Sequence, residues 1–218
     1  MQFSFTEEQE LLRREAREVL SRNGASAWTA EELRGAELGF LDQAVLFEEF
    51  GRAGQGESFF DPERPKTEQL AALSLEAVGI ASKALELGVE HAKTREQFAR
   101  PIGVYQAVSH PLADTYVETE MARSLAYWAA WCVAEEDEQA PIAVAAAKSF
   151  CGDTAVAACE RSIQVLGGIG FTWEHVLHRY YKRALWIQAF GGYSRDHRAQ
   201  VAAWLLDDLE PRPGEESR

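Results

Sequence analysis

The chain has 218 residues, 46% of them hydrophobic, enough to bury a substantial core in one or two domains. Its 35 acidic against 22 basic residues give a formal charge of −13, which argues against an extended basic face for nucleic acid. No apolar run reads as the roughly 20-residue span of a bilayer, and the N-terminus MQFSFTEEQ lacks a signal peptide's basic and apolar regions. No membrane association and a cytoplasmic location are therefore expected.

In chain order, Thr6 to Gln9 has capping-box spacing and should open a first helix, with Leu11, Leu12, Ala16, Val19 and Leu20 at helical intervals until Asn23 and Gly24. Thr29 to Glu32 repeats the capping pattern and predicts a short helix ending near Leu38 and Gly39, and LDQAVLFEEFGRAG predicts another. Residues 1–53 thus read as a small helical segment. Residues 54–66, rich in Gly and Pro and without a period, read as a linker.

From Thr67 to Lys93 the apolar positions Leu70, Leu73, Ala77, Ile80, Ala84 and Leu87 form one stripe, with Glu68, Glu76, Lys83, Glu86 and Glu90 on other faces. That predicts a helix roughly 40 Å long at about 1.5 Å per residue. A second long helix carries Leu112, Tyr116, Ala122, Leu125, Ala129 and Val133, with Pro111 as a first-turn residue or a kink, and ends in the acidic run 135–138. Pro141 marks the start of a third, Ala-rich helix that runs to the glycines at 167 and 168. Further helices are expected at Val176 to Gln188 and Ser194 to Leu209, before a charged tail at 210–218. No period-2 alternation calls for a sheet. The expected fold is all-α, an antiparallel helical bundle over residues 67–209.

Cys132, Cys151 and Cys159 are odd in number, lie in helical patterns and form no CxxC pair, so they read as small core residues with no disulfide framework or metal site. P-loop, HExxH, GxSxG and GxGxxG motifs are absent. What remains is two glycine-containing helix junctions. In REQFARPIGVYQ, residues 95–106, Pro101 and Gly103 are expected to force an irregular turn that leaves the Arg95 guanidinium free for an anion. An arginine, an aromatic plane and an amide together suit a nucleotide. In QVLGGIGFTWEH, residues 164–175, closely spaced glycines end a helix without Cβ atoms to block a ligand or backbone. Glycine also serves routinely in helix caps and turns, a reading that the residues alone leave open.

The two junctions match the acyl-CoA dehydrogenase family in order and spacing. The sequence resembles the family's C-terminal all-helical domain through RxxF at Arg95 to Phe98, PIG at 101–103, Gln106, HPLAD at 110–114, the Ala-Ala-Lys at 146–148 and QVLGGIGFTWEH. FTEEQELLRREAREVL, AELGF and VLFEEFGRAG resemble pieces of the family's N-terminal helical domain, shortened. The family's middle β domain is missing, since only the linker joins the two helical parts. By resemblance, Arg95, Phe98 and Gln106, joined by Gln164, Gly167 and Gly168 at the adenosine end, should serve the ADP portion of an FAD shared across a subunit interface. A full-length acyl-CoA dehydrogenase partner would hold the flavin ring and most of the acyl-CoA substrate.

The resemblance also shows what is lost. Family members place the catalytic carboxylate in a YEGT-like loop, where this chain has Gly191, or in the helix before RxxF, where it has Gln69. Leu70 stands where many members carry a CoA-contacting Arg. Glu68 is adjacent, but one residue along a helix turns a side chain by about 100°, so a displaced base is disfavoured against a first-turn acid on the helix dipole. Glu174 and His175, neighbours on an expected helix, read as solvated or capping residues rather than an acid–base pair. His110 and Asp114, spaced to share a helix face, are expected to support the turn before Pro111, and the Trp and Tyr residues at 127–131 and 180–186 are expected to pack or make oligomer contacts. Two functions stay open. One is the short, inactive-alone subunit of a heteromeric FAD-dependent acyl-CoA dehydrogenase, resembling mixed-subunit members that act on bulky substrates such as steroid side chains. The other is a non-catalytic structural or regulatory homo-oligomer. Retention of Arg95, Phe98, Gln106 and Gln164 favours the first.

Overall fold

The computed structural model describes residues 5–23, 38–56 and 60–206. The helix expected at Thr29 to Glu32 and the tail at 210–218 lie outside the described residues. Helix α1 (Glu7–Asn23) opens on the capping box, with the Gln9 N–H donating to Thr6 Oγ1 and the Thr6 N–H to Gln9 Oε1, both at 3.2 Å. Helix α2 (Phe40–Ala53) ends at Gly54 in the left-handed conformation. The bundle follows: α3 (Lys66–Thr94), α4 (Gln106–Ala134), α5 (Ala140–Leu166), α6 (Leu177–Ala189) and α7 (Ser194–Leu206). The all-α antiparallel bundle expected from the sequence is what forms.

Helix α3 is the axis. The sequence placed one apolar stripe on it, but every residue from Leu70 to Ala81 is buried, Glu76 included. The cause is α2, which covers the face that a bare bundle would leave to water. The backbones of α2 and α3 meet where Gly79 lies against Glu48 O and Gly51 against Glu76 O, with no space for a side chain at either glycine. Glu76 is stranded in this dry layer and is held there by Arg183 of α6, whose Nε and terminal nitrogen donate to its two carboxylate oxygens at 2.7 and 2.9 Å.

The N-terminal helices are joined to the bundle by charge as well as by apolar contact. Glu49, 2% exposed, accepts two bonds from Arg17, while Glu48 accepts from Arg123 at 2.9 Å and from the Tyr127 hydroxyl at 2.8 Å. One hydrophobic cluster runs from Ala16 and Leu20 through Phe47 and Phe50 to Leu177 and Ile187. Helix α5 is its most apolar member. Continued through the following turn, Ala140–Phe171 is long and apolar enough to span a membrane, contrary to the sequence reading, but its apolar window is 78% buried inside the bundle. Pro111 sits inside α4, in the second turn rather than the first. The three cysteines are free and buried, as expected of core residues.

Candidate functional site

The stretch at 95–106 is built on a small β-hairpin, the one ladder among the described residues. Strand β1 (Glu96–Gln97) pairs antiparallel with β2 (Arg100–Pro101), Glu96 opposite Pro101 and Gln97 opposite Arg100. The loop is therefore the two residues Phe98 and Ala99, and both have positive φ, 54° and 61°. The sequence pointed to Pro101 and Gly103 as the cause of the turn. The structure moves the cause two residues earlier, to a hairpin turn whose backbone demand is met without glycine. Such a conformation costs roughly 1–2 kcal/mol for an ordinary L-residue, so neighbouring contacts must hold it. Tyr105 does this, its hydroxyl donating to Gln97 O at 3.2 Å and its ring meeting the Phe98 ring edge-on at 6.4 Å. The Ile102 N–H closes the base of the hairpin on Arg95 O at 2.8 Å.

The hairpin presents Arg95 and Phe98 outward. Phe98 is 87% exposed, and the exposed Arg95 guanidinium has no hydrogen bond or ion pair with any described residue. Gln106 is the exposed first residue of α4. The second junction lies at the same end of the bundle. Helix α5 ends at Gly167, φ 64°, and continues as a 3-10 turn (Gly167–Phe171). A Cβ at Gly167 or Gly168 would meet nothing within 4 Å, and Gln164 is exposed beside them. Between the junctions lies a cavity of about 270 Å³, walled by Leu87, His91 and Thr94 of α3 and by Leu166, Ile169 and His175. Burial, with the nearby Arg95 charge, holds His91 below the usual histidine range.

His175 and Glu174 lie in a turn, not on the helix expected for them. His175 Nδ1 accepts the Leu177 N–H at 3.2 Å, capping α6, so the capping role holds. His110 and Asp114 are both exposed and no hydrogen bond joins them; in the turn before Pro111 it is the Ser109 hydroxyl that donates to Tyr105 O at 3.2 Å.

The opposite end of α3 is closed. The Gln69 side-chain amide donates to Pro62 O at 3.0 Å and Arg64 O at 2.6 Å, so it fastens the linker to the first turn of α3. Glu68 faces Arg64 at 3.4 Å, the surface role expected of a first-turn acid. Gly191 lies in the loop between α6 and α7 with φ 73°, and a Cβ there would meet Leu70 Cδ2 at 2.7 Å. The two positions that the resemblance assigns to the base, 69 and 191, thus flank Leu70, which is 6% exposed. Phe60, Trp186 and Phe190 pack beside the same loop as a cluster with ring centroids 4.9–5.3 Å apart.

Sequence reasoning missed three groups here. Tyr105, the brace of the hairpin, carries no signal beyond lying inside the motif. Lys148, matched only as part of a motif, is 1% exposed and donates to Gln188 O at 3.3 Å, and burial lowers its pKa to about 8. His197, 2% exposed on α7, sits behind Gly192.

Residues 66–206 match the model of the acyl-CoA dehydrogenase C-terminal domain, and the chain belongs to the acyl-CoA dehydrogenase family. Over 152 residues it is 46% identical to Acyl-CoA dehydrogenase FadE34 of Mycobacterium tuberculosis, a match covering 68% of this chain and 21% of that protein. Among solved structures it is 31% identical to the Tcur3481-Tcur3483 steroid ACAD G363A variant, with a TM-score of 0.61 over 66% of this chain and 40% of that one. The electron transferring flavoprotein of Acidaminococcus fermentans, 18% identical, shares the fold, with a TM-score of 0.80 over 94% of this chain and 100% of that chain. The chain spans less than half the length of the curated relatives it matches, 21% and 41% in two cases.

Proposed function

We propose that this chain is a subunit of an FAD-dependent acyl-CoA dehydrogenase complex, supplying the ADP-binding half of a shared FAD site and the helical core to a longer partner that carries the catalytic base. The observation behind this reading is the contrast between the ends of α3. Arg95 and Phe98 stand free and exposed, while Leu70 fills the space beside both base positions.

The residues present fit a dinucleotide. Arg95 offers a planar pair of donors suited to a phosphate. Phe98 offers an aromatic face already outside its own core. Gly167 and Gly168 admit a close backbone approach, and Gln106 and Gln164 supply amide donors and acceptors at either side. FAD, when bound, supplies the hydride acceptor for α,β-dehydrogenation of an acyl thioester. The proton from the α carbon needs a carboxylate in a dry pocket, and on this chain neither base position holds one. That role falls to the partner. The paired designation of the related steroid ACAD supports a two-chain enzyme acting on a bulky, steroid-like acyl-CoA.

Co-expression with a full-length dehydrogenase, followed by measurement of flavin and subunit stoichiometry, tests the reading. The lone chain should be colourless and should not reduce an electron acceptor with acyl-CoA, and the complex should be yellow and active. Tight flavin binding and turnover by the lone chain would overturn it. A colourless homo-oligomer that captures no dehydrogenase chain would favour the structural role instead.

A further inference from the structure

Helix α7 has a single buried residue, and that residue is His197. The ring is 2% exposed and neither nitrogen meets hydrogen-bond geometry, although the Gly192 backbone is close enough to interact with it. Burying an imidazole unpartnered is unfavourable, and burying an imidazolium among other cations is more so. The charges of Lys148 on α5 and Lys66 on α3 disfavour a protonated ring, while Asp196 on α7 and the Gly192 backbone act in the opposite sense. Asp153 of α5 is already engaged: it accepts from Arg198 of α7 at 2.6 Å, from Gln188 at 2.8 Å and from the Ser194 hydroxyl. Asp153 thereby fastens both ends of the loop that contains Gly191 and Gly192. A Cβ on Gly192 would lie 3.4 Å from His197 Nε2, so the ring backs directly onto this loop.

We propose that His197 is a proton-sensitive anchor: docking of α7 and of the Gly191–Gly192 loop requires the neutral imidazole, and acidification releases this helix from α5 while the rest of the bundle stays folded. The direction follows from linkage. Burial first, then the Lys148 and Lys66 charges, hold the docked ring below the ordinary histidine value, while a released ring titrates near that value, about 6.5. The undocked state therefore binds more protons between the two values. Docking is at full strength above about pH 6.5 and weakens as the pH falls from there to the docked ring's lower value.

Hydrogen exchange of the full chain at pH 7.5 and 5.0, corrected for intrinsic rates, tests this. Amides of α7 and of residues 190–193 should lose several-fold of their protection at the lower pH, while those of α5 keep theirs. His197→Met, apolar and of similar size, should remove the pH dependence, and Lys148→Met should reduce it. Equal protection of α7 at both pH values in the wild type would overturn the proposal. So would simultaneous loss in α5 and α7, or a wild-type acid response in His197→Met. Should the methionine variant not fold, an NMR titration of the wild-type imidazole decides. A value at or above the ordinary one rejects the anchor, and a lower one supports it.

Discussion

At the Lys66 end of α3, Leu70 lies 6% exposed against Gly191; at the Thr94 end, Phe98 stands 87% exposed on a two-residue turn. The same helix carries both, and the two ends solve opposite problems. At the first, side chains are absorbed into packing: Gln69 fastens the linker and Leu70 occupies the space beside Gly191. At the second, packing has been declined. Two L-residues are held in left-handed conformations, and an arginine and an aromatic ring are kept away from their own core. Strain of this kind persists where surrounding structure over-determines it, and it concentrates at sites that meet a ligand or partner. The difference is one of packing: the Lys66 end of α3 is closed over its side chains, while the Thr94 end leaves its side chains to solvent.

The largest effects should come from the closed end. Arg183→Met leaves Glu76 buried without its bidentate partner, and removing one member of such a pair typically destabilises by about 3–5 kcal/mol. Urea unfolding should show that loss as a lower midpoint; a shift under 1 kcal/mol would mean that the closed end is not held as described. Gly191→Glu asks whether the missing carboxylate can simply be restored. A side chain at φ 73° that must also displace Leu70 should lower stability by about 2 kcal/mol, with no dehydrogenase activity gained by the lone chain. If the variant is as stable as the parent, the closed end has more slack than the Leu70 contact implies.

Much of this contrast was legible in the sequence and part of it was not. The described helices, the capping box of α1 and the two glycine junctions follow from periodicity and capping spacing, because those signals are local. The resemblance, by supplying a register, directed attention to Gln69 and Gly191. Glu76 was not. Its burial depends on α2 covering the far face of α3, a long-range contact that periodicity within α3 does not encode. The hairpin escaped for a different reason. Its strands are two residues each, too short to alternate, and Phe-Ala is not a sequence that announces positive φ. His197 lies on a helix that is otherwise exposed, so its pattern reads as surface.

Smaller effects should come from the open end. Ala99→Gly relieves a left-handed alanine at φ 61° while adding flexibility to the unfolded chain. The net should be a gain of about 0.5–1 kcal/mol in unfolding free energy, opposite in sign to both changes at the closed end. A loss on thermal or urea denaturation would show that the turn is not strained at Ala99.

Arg95→Ala should have the smallest effect on stability and is the sharpest test of the contrast. The guanidinium is exposed and makes no ion pair with a described residue, so its removal should change unfolding free energy by less than about 0.5 kcal/mol. If the arginine is kept for a phosphate beyond this chain, the same substitution should lower flavin retention in the reconstituted complex. A charge-assisted hydrogen bond contributes about 1.5–3 kcal/mol, which corresponds to roughly tenfold or more in flavin affinity. Flavin content after gel filtration, measured against subunit concentration, separates the outcomes. Lost flavin with an intact fold places Arg95 in the shared site, because a purely structural arginine would move stability first. Retained flavin with an intact fold would leave the open end without a ligand and remove the ground for assigning it to a partner's cofactor.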